Sequence, residues 1–250
     1  MRNFLRSRAP KSTARIVDGQ RTVLRLGEQR GHTHALCSLA TGPFIEFLET
    51  AAPTFERYAQ VQGYDLVLSA EPLDPGRPAS WSKLALVSSL LDTYEVVIWL
   101  DADTVVVHYD TAFPEPEGLQ VMSMVPHPQE RNEAMTVPNA GVFCLRSSDD
   151  TRRFLAEWTS APTELYQHNW WENAALLRMF GYSLEPPYPI VEDSEWRDRV
   201  RWLDLRWNSV PGYCSAPDPV VVHHARADHG DDRRRIQGMR ADARRALRKS

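Results

Sequence analysis

Apolar residues in this chain cluster in short, β-branched runs divided by polar turns. The runs at Thr33 to Leu39, Tyr64 to Leu68, Val96 to Leu100, Val121 to Val125, Val137 to Leu145 and Pro219 to Ala225 each have the length of a strand. Val96 to Leu100 contains no polar position, which suits a strand buried on both faces of a parallel sheet. Between the first two runs, Phe44, Phe47, Leu48, Ala51, Phe55, Tyr58 and Ala59 recur at helical spacing, and Pro53 is expected to kink or split that helix. Ser80 is placed to cap a helix carrying Leu84, Val87 and Leu91 on one face, and a helix starting at Asp149 buries Phe154, Leu155 and Trp158. Strand, helix and strand in alternation imply parallel pairing with right-handed crossovers. The pattern therefore predicts an α/β fold, a single Rossmann-like domain with a central, mostly parallel sheet flanked by helices.

Two stretches break the pattern. Asp101 and Asp103 interrupt an apolar run that resumes at Thr104 to Val107, where the strand is expected to continue. Pro126 to Thr136 is polar enough to predict a mobile loop. The periodicity also fades at both ends. Residues 1–32 are expected to form a poorly ordered arm, with a short strand at most at Val23 and Leu24. Residues 33–230 carry the domain, and residues 231–250 form an Arg-rich helix with little apolar face, solvated or in peripheral contact with an anionic surface.

Composition adds mainly exclusions. With 250 residues, 42% of them hydrophobic and 25% charged, the chain has ordinary globular composition. A net charge of -4 supplies no global positive field, which excludes nucleic acid as a bulk partner. Cys37, Cys144 and Cys214 are far apart and read as buried free thiols of a reducing compartment. The basic N-terminus leads into no apolar segment, and no stretch approaches membrane-spanning length, so a soluble cytoplasmic protein without a transmembrane segment is expected.

The candidate chemistry gathers at strand ends. Asp101 and Asp103 follow the buried run Val96 to Leu100, at the edge where open α/β sheets bind ligands. Two carboxylates aimed at one point need a cation, and oxygen ligands of this kind suit Mn²⁺ or Mg²⁺ holding a substrate phosphate. His223 and His224 end another strand, and two histidines in tandem favour a metal site shared with the carboxylates. Lys83 lies near a helix start, where a cation gains little from the dipole and is better placed facing an anion. The turn at Ala40 and Thr41, after the first strand, offers room for a nucleotide base and ribose. Asn139 and Gly141 allow a sugar close to the backbone, and His168 to Asn173 combines polar groups with two indoles as a sugar platform.

In this order, Trp81-Ser82-Lys83, Trp99-Leu100-Asp101-Ala102-Asp103-Thr104, Asn139-Ala140-Gly141-Val142-Phe143, Trp171-Glu172-Asn173-Ala174 and Val222-His223-His224-Ala225 resemble a GT-A glycosyltransferase. The similarity is greatest to family 34, the α-galactosyl-, α-mannosyl- and xylosyltransferases, with the glycogenin-like family 8 as a neighbour, and covers about Thr33 to Ala225. The resemblance implies transfer of a hexose or pentose, with retention, from a nucleotide-diphosphate sugar (a UDP-sugar above others) to a carbohydrate or small-molecule acceptor. It implies that Asp103 binds the ion directly with His223 as third ligand, that Asp101 sits nearer the ribose, and that Lys83 neighbours the donor. Asn139 and Gly141 would lie by the donor sugar, and Glu172 or Asn173 would face its reacting carbon. His224 stands where the family carries an aromatic residue and Arg226 where glycine is common, and the membrane anchor of the eukaryotic members is absent, which implies a bacterial relative. Two other readings compete: a phosphatase of the haloacid dehalogenase type using Asp101 as nucleophile, and a non-catalytic sugar-binding module.

Overall fold

Six strands and the helices packed on them place the candidate residues. The structure, a computed structural model, describes residues 33–129, 132–225 and 231–248, so the N-terminal arm and Arg226 lie outside the described residues. The chain runs through β1 (His34–Leu39), α1 (Ile45–Gln62), β2 (Asp65–Ser69), α2 (Ser82–Leu90), β3 (Val96–Leu100) and β4 (Thr104–Val106). It continues through β5 (Met122–Gln129), β6 (Asn132–Arg146), α3 (Asp149–Thr159), α4 (Trp171–Met179), β7 (Val200–Trp202), β8 (Val221–His223) and α5 (Asp232–Arg248).

The main sheet has the order β2-β1-β3-β6-β5-β7. Its pairs are parallel except those made by β6, which runs against its neighbours β3 and β5. This is the mostly parallel α/β sheet the alternation predicts. Side chains of β3 alternate between two apolar layers, as a strand covered on both faces requires. Val97 and Trp99 join Trp81, Phe143 and Trp158 on one face; Val96, Ile98 and Leu100 join Phe47, Phe55 and Met239 on the other. The three cysteines are free and buried.

Several local expectations are corrected. Pro53 does not split α1, which runs unbroken to Gly63, whose left-handed φ of 72° closes it with a bond from its N–H to Ala59 O. Next to the proline, Thr54 is buried, and its hydroxyl accepts a hydrogen bond from the Val106 N–H at 3.2 Å, which ties α1 to β4. Ser80 caps nothing: a 3-10 turn over Ala79–Trp81 delivers the chain into α2 already coiled. After Asp103 the chain leaves the main sheet. Thr104 to Val106 forms β4, which pairs antiparallel with β8 in a separate two-stranded sheet, Thr104 opposite His223.

In the expected loop at Pro126 to Thr136, the described residues are strand: β5 runs to Gln129 and β6 starts at Asn132, paired with Pro126 opposite Pro138 and Pro128 opposite Thr136. The prolines are tolerated because β7 flanks β5 only from Met122 to Met124, leaving the rest of β5 an edge that needs no donor on that side. The basic tail also buries more than its composition suggests. Ile236, Met239, Ala243 and Ala246 make a narrow apolar stripe on α5 that packs in the layer containing Phe47 and Val105.

Candidate functional site

The turn after β3 aims the two carboxylates apart. Asp101 keeps its backbone in register by donating its N–H to Gly141 O at 2.7 Å, and both the N–H and the hydroxyl of Thr104 donate to Asp101 O. The Asp101 carboxylate turns towards α2. Its Oδ1 accepts from Trp99 Nε1 at 2.7 Å and lies 3.0 Å from the Lys83 ammonium. Lys83 is buried; it also reaches Glu172 Oε1 at 2.7 Å and donates to Ala140 O at 3.1 Å. Glu172 is thus held beside Asp101 by a shared cation, and its Oε2 is buried without a hydrogen-bond partner among the described residues.

The Asp103 carboxylate turns the other way, towards β8 and α5. Its Oδ1 lies 3.2 Å from His223 Nε2, and its Oδ2 accepts from the Arg235 guanidinium. One network fixes which nitrogen of His223 faces the acids. The Gly141 N–H donates to Asn139 Oδ1, so that atom is an acceptor, and Asn208 must present its Nδ2 to it, at 2.9 Å. Asn208 Oδ1 then faces His223 Nδ1 at 2.8 Å, and Nδ1 must carry the proton. Nε2 is left facing an Asp103 carboxylate oxygen at 3.2 Å. Two acceptors at 3.2 Å need a cation or a proton between them, and imidazole with a hydrogen-bonded Nδ1–H is the form that ligates metals.

Asp101, Asp103 and His223 can each offer one ligand atom with all three inside 4.8 Å of one another, a spacing a divalent ion can bridge. The charges agree. Among the described residues, Asp101, Asp103 and Glu172 face two permanent cations, Lys83 and Arg235, leaving room for positive charge. Burial by itself would lower the Lys83 pKa, but the Asp101 and Glu172 carboxylates outweigh it and hold the ammonium charged above its ordinary range. Burial raises the Glu172 carboxyl, Lys83 opposes this, Asp101 adds to it, and the net result is upward. At Asp103 the upward push of burial is overcome by His223 and then Arg235, which bring the carboxyl down to about 2.

The remaining predicted residues border this cluster in unlike ways. Ala40 and Thr41 follow β1, the strand beside β3, at the same edge of the sheet. Gly141 is required by the histidine: a Cβ there would lie 2.3 Å from His223 Cε1. Asn139 is engaged with Gly141 and Asn208. The Asn173 amide is likewise occupied, accepting from Ala140 N–H at 2.8 Å and donating to Pro138 O, so it clamps β6. Trp170 packs on Tyr188, while Trp171 is exposed and takes a left-handed φ of 43°, a strained conformation next to Glu172. His224 packs against Gly238 and pairs with Asp242 at 3.1 Å, outside the cluster. Sequence reasoning missed Arg235, Asn208 and His127, whose Nε2–H donates to Asn208 O at 2.8 Å.

Comparison with known proteins bears on the family and the fold. The profile of the nucleotide-diphospho-sugar transferases matches residues 77–223, more than half of the chain. The chain belongs to that family. The matched region runs from just before Lys83 to His223 and contains Asp101, Asp103, Asn139, Gly141, Glu172 and Asn173. Family membership sets aside the dehalogenase-type phosphatase. Among curated proteins, the probable glycosyltransferase 7 of Oryza sativa subsp. indica is 24% identical over 203 residues, covering 69% of this chain and 45% of the rice protein. The chain thus spans less than half the length of that transferase relative. In fold it is similar to a glycosyltransferase involved in the glycosylation of the major capsid of PBCV-1, with TM-score 0.60, 14% identity and coverage of 83% of this chain and 98% of that one. The galactosyltransferase LgtC, solved with donor and acceptor sugar analogs, superposes with TM-score 0.50 at 14% identity over 83% of this chain and 95% of its own. No described helix is long and apolar enough to cross a membrane.

Proposed function

We propose that the chain transfers a hexose or pentose from a nucleotide-diphosphate sugar, a UDP-sugar by preference, to a hydroxyl of a carbohydrate or small-molecule acceptor, as a retaining enzyme of family 34 with family 8 as its neighbour. The observation that carries this is the grouping of Asp101, Asp103 and His223, one possible ligand atom from each within 4.8 Å of the others, beside the C-terminal edge of β3. These three would hold the divalent ion, Mn²⁺ before Mg²⁺ because imidazole is a softer ligand than carboxylate. When bound, the ion offsets negative charge developing on the departing diphosphate.

The chain's own residues divide the remaining work. Ala40 and Thr41 border the base and ribose, and Lys83 fixes the Asp101 and Glu172 carboxylates. Asn139, Gly141 and Asn173 set the strand against which the sugar lies. Glu172 rather than Asn173 would serve the anomeric carbon, because both amide atoms of Asn173 are already engaged with β6. In the retaining reaction the anomeric carbon–oxygen bond to the diphosphate breaks, the acceptor oxygen bonds to that carbon on the same face, and its proton passes to the departing diphosphate. Incubation with a panel of UDP-sugars, with Mn²⁺ or with chelator, tests the reading. Mn²⁺-dependent consumption of one donor and an α-linked product from an α-linked donor, seen by NMR, are expected. A β-linked product would overturn retention and make Glu172 the base, and metal-independent transfer would overturn the ion's role.

A further inference from the structure

Arg235 is a buried cation at the centre of the candidate site that neither the Asp-x-Asp pattern nor the tandem histidines announce. It comes from the first turn of α5, with its guanidinium over the Phe47 ring at 4.6 Å. Its Nε donates to His224 O at 2.7 Å, one terminal nitrogen to Asp232 Oδ1 at 2.7 Å, and the other to Asp103 Oδ2. That last contact puts a permanent positive charge on a carboxylate which, on the function proposed above, belongs to the divalent ion. Beside it a cavity of about 230 Å³ is lined by His223, His224, Arg234 and Arg235 together with Val210 and Pro211. Among the described residues every ionisable group lining that cavity is basic, and a cavity so lined suits an anion.

We propose that Arg235 is a stand-in cation that passes between two anions: it neutralises Asp103 while the ion is absent, and binds the phosphates of a nucleoside diphosphate in the adjoining cavity once the ion has taken Asp103. A carboxylate only 15% exposed, as that of Asp103 is, is costly to leave without a cation, so Asp103 needs a partner in both states. The guanidinium fork suits either anion, since carboxylate and phosphate accept it in the same geometry. The ion and the diphosphate then bind cooperatively, because the ion releases the arginine that the diphosphate uses, and each raises the affinity of the other by the same factor. The inference rests on the Asp101, Asp103 and His223 metal reading.

Titration calorimetry of the full chain with Mn²⁺ alone, with UDP alone and with Mn²⁺ at saturating UDP tests it in the wild type, Arg235→Met and Arg235→Lys. Arg235→Met is expected to bind Mn²⁺ alone about tenfold more tightly than wild type, for want of a competing cation, and to bind UDP in the presence of Mn²⁺ about tenfold more weakly. Arg235→Lys keeps the charge and should stay within a few-fold of wild type for Mn²⁺ alone. If Arg235→Met fails to fold without ion, rescue of its melting transition by Mn²⁺ alone supports the stand-in role and absence of rescue overturns it. A folded Arg235→Met with unchanged or weaker Mn²⁺ affinity overturns the proposal while leaving the metal site intact. No Mn²⁺ binding to wild type even with UDP overturns the metal reading itself, and the proposal falls with it.

Discussion

Asp101 and Asp103 are separated by one residue, yet unlike halves of the molecule hold them. Asp101 belongs to the α2 and α4 side: its partners are Trp99 and Lys83, and Lys83 passes the contact on to Glu172. Asp103 belongs to the β8 and α5 side, where His223 is oriented by Asn208, Asn208 by Asn139 and His127, and Arg235 closes the far oxygen. The Asp101 side is a salt bridge whose cation is supplied within the fold. The Asp103 side sets one carboxylate oxygen against the Arg235 guanidinium and the other against His223 Nε2, and that second pair needs a proton or an added cation between its atoms. On the function proposed above, Asp103 and His223 would be the ion's firmer ligands and Asp101 its lighter contact.

The comparison is broken most severely at Asp103. Asp103→Asn should lower Mn²⁺-dependent transfer by about 10³-fold or more, whereas a fall of less than tenfold in a kinetic assay would remove Asp103 from the ion. On the other side the expected damage is structural. Lys83→Met leaves Asp101 and Glu172 facing each other without their cation and should cost about 3 kcal/mol in urea unfolding. Adding Glu172→Gln should recover part of that loss. Asn208→Leu keeps the ligands but frees the His223 ring, and should weaken Mn²⁺ binding in the presence of UDP by about 10- to 100-fold.

A smaller effect separates the two sides by pH. Burial, and then the neighbouring His223, pull the His127 imidazole down to about 4. The folded state therefore resists a proton that the unfolded chain binds from about pH 6.5. The stability tied to neutral His127 is complete above pH 6.5 and is lost as pH falls towards 4, a loss of about 2 kcal/mol at pH 5. His127→Gln, which can still donate to Asn208 O, should flatten this part of the curve in melts from pH 7 to 5. An unchanged slope would clear His127 of the acid sensitivity.

What could be read in advance follows from how local each signal is. Val96 to Leu100 announced a doubly covered strand, and the carboxylates at its end announced the edge where the cluster sits. His223 was legible from its strand-end position, and Lys83 from its awkward place near a helix start. The β5–β6 hairpin was hidden because its prolines and polar residues look like a loop until the free edge of β5 is known. The stripe on α5 was hidden because alanines and one methionine make most of it among arginines. Arg235 and Asn208 carry no local signal: their partners Asp103 and Asn139 stand 132 and 69 residues away in sequence, and only the folded sheet brings them together. Gly141 carries a second requirement that the sequence does not announce, since the space it leaves admits the His223 ring.

The central claim, that Asp103 from the turn after β3 and His223 from β8 share one ion, is tested most directly by titrating Mn²⁺ into wild type and His223→Ala in the presence of a nucleotide sugar that the wild type consumes. Loss of a direct ligand should weaken the ion's affinity by about 100-fold or more in the variant. Equal affinity in a folded His223→Ala would contradict the assignment.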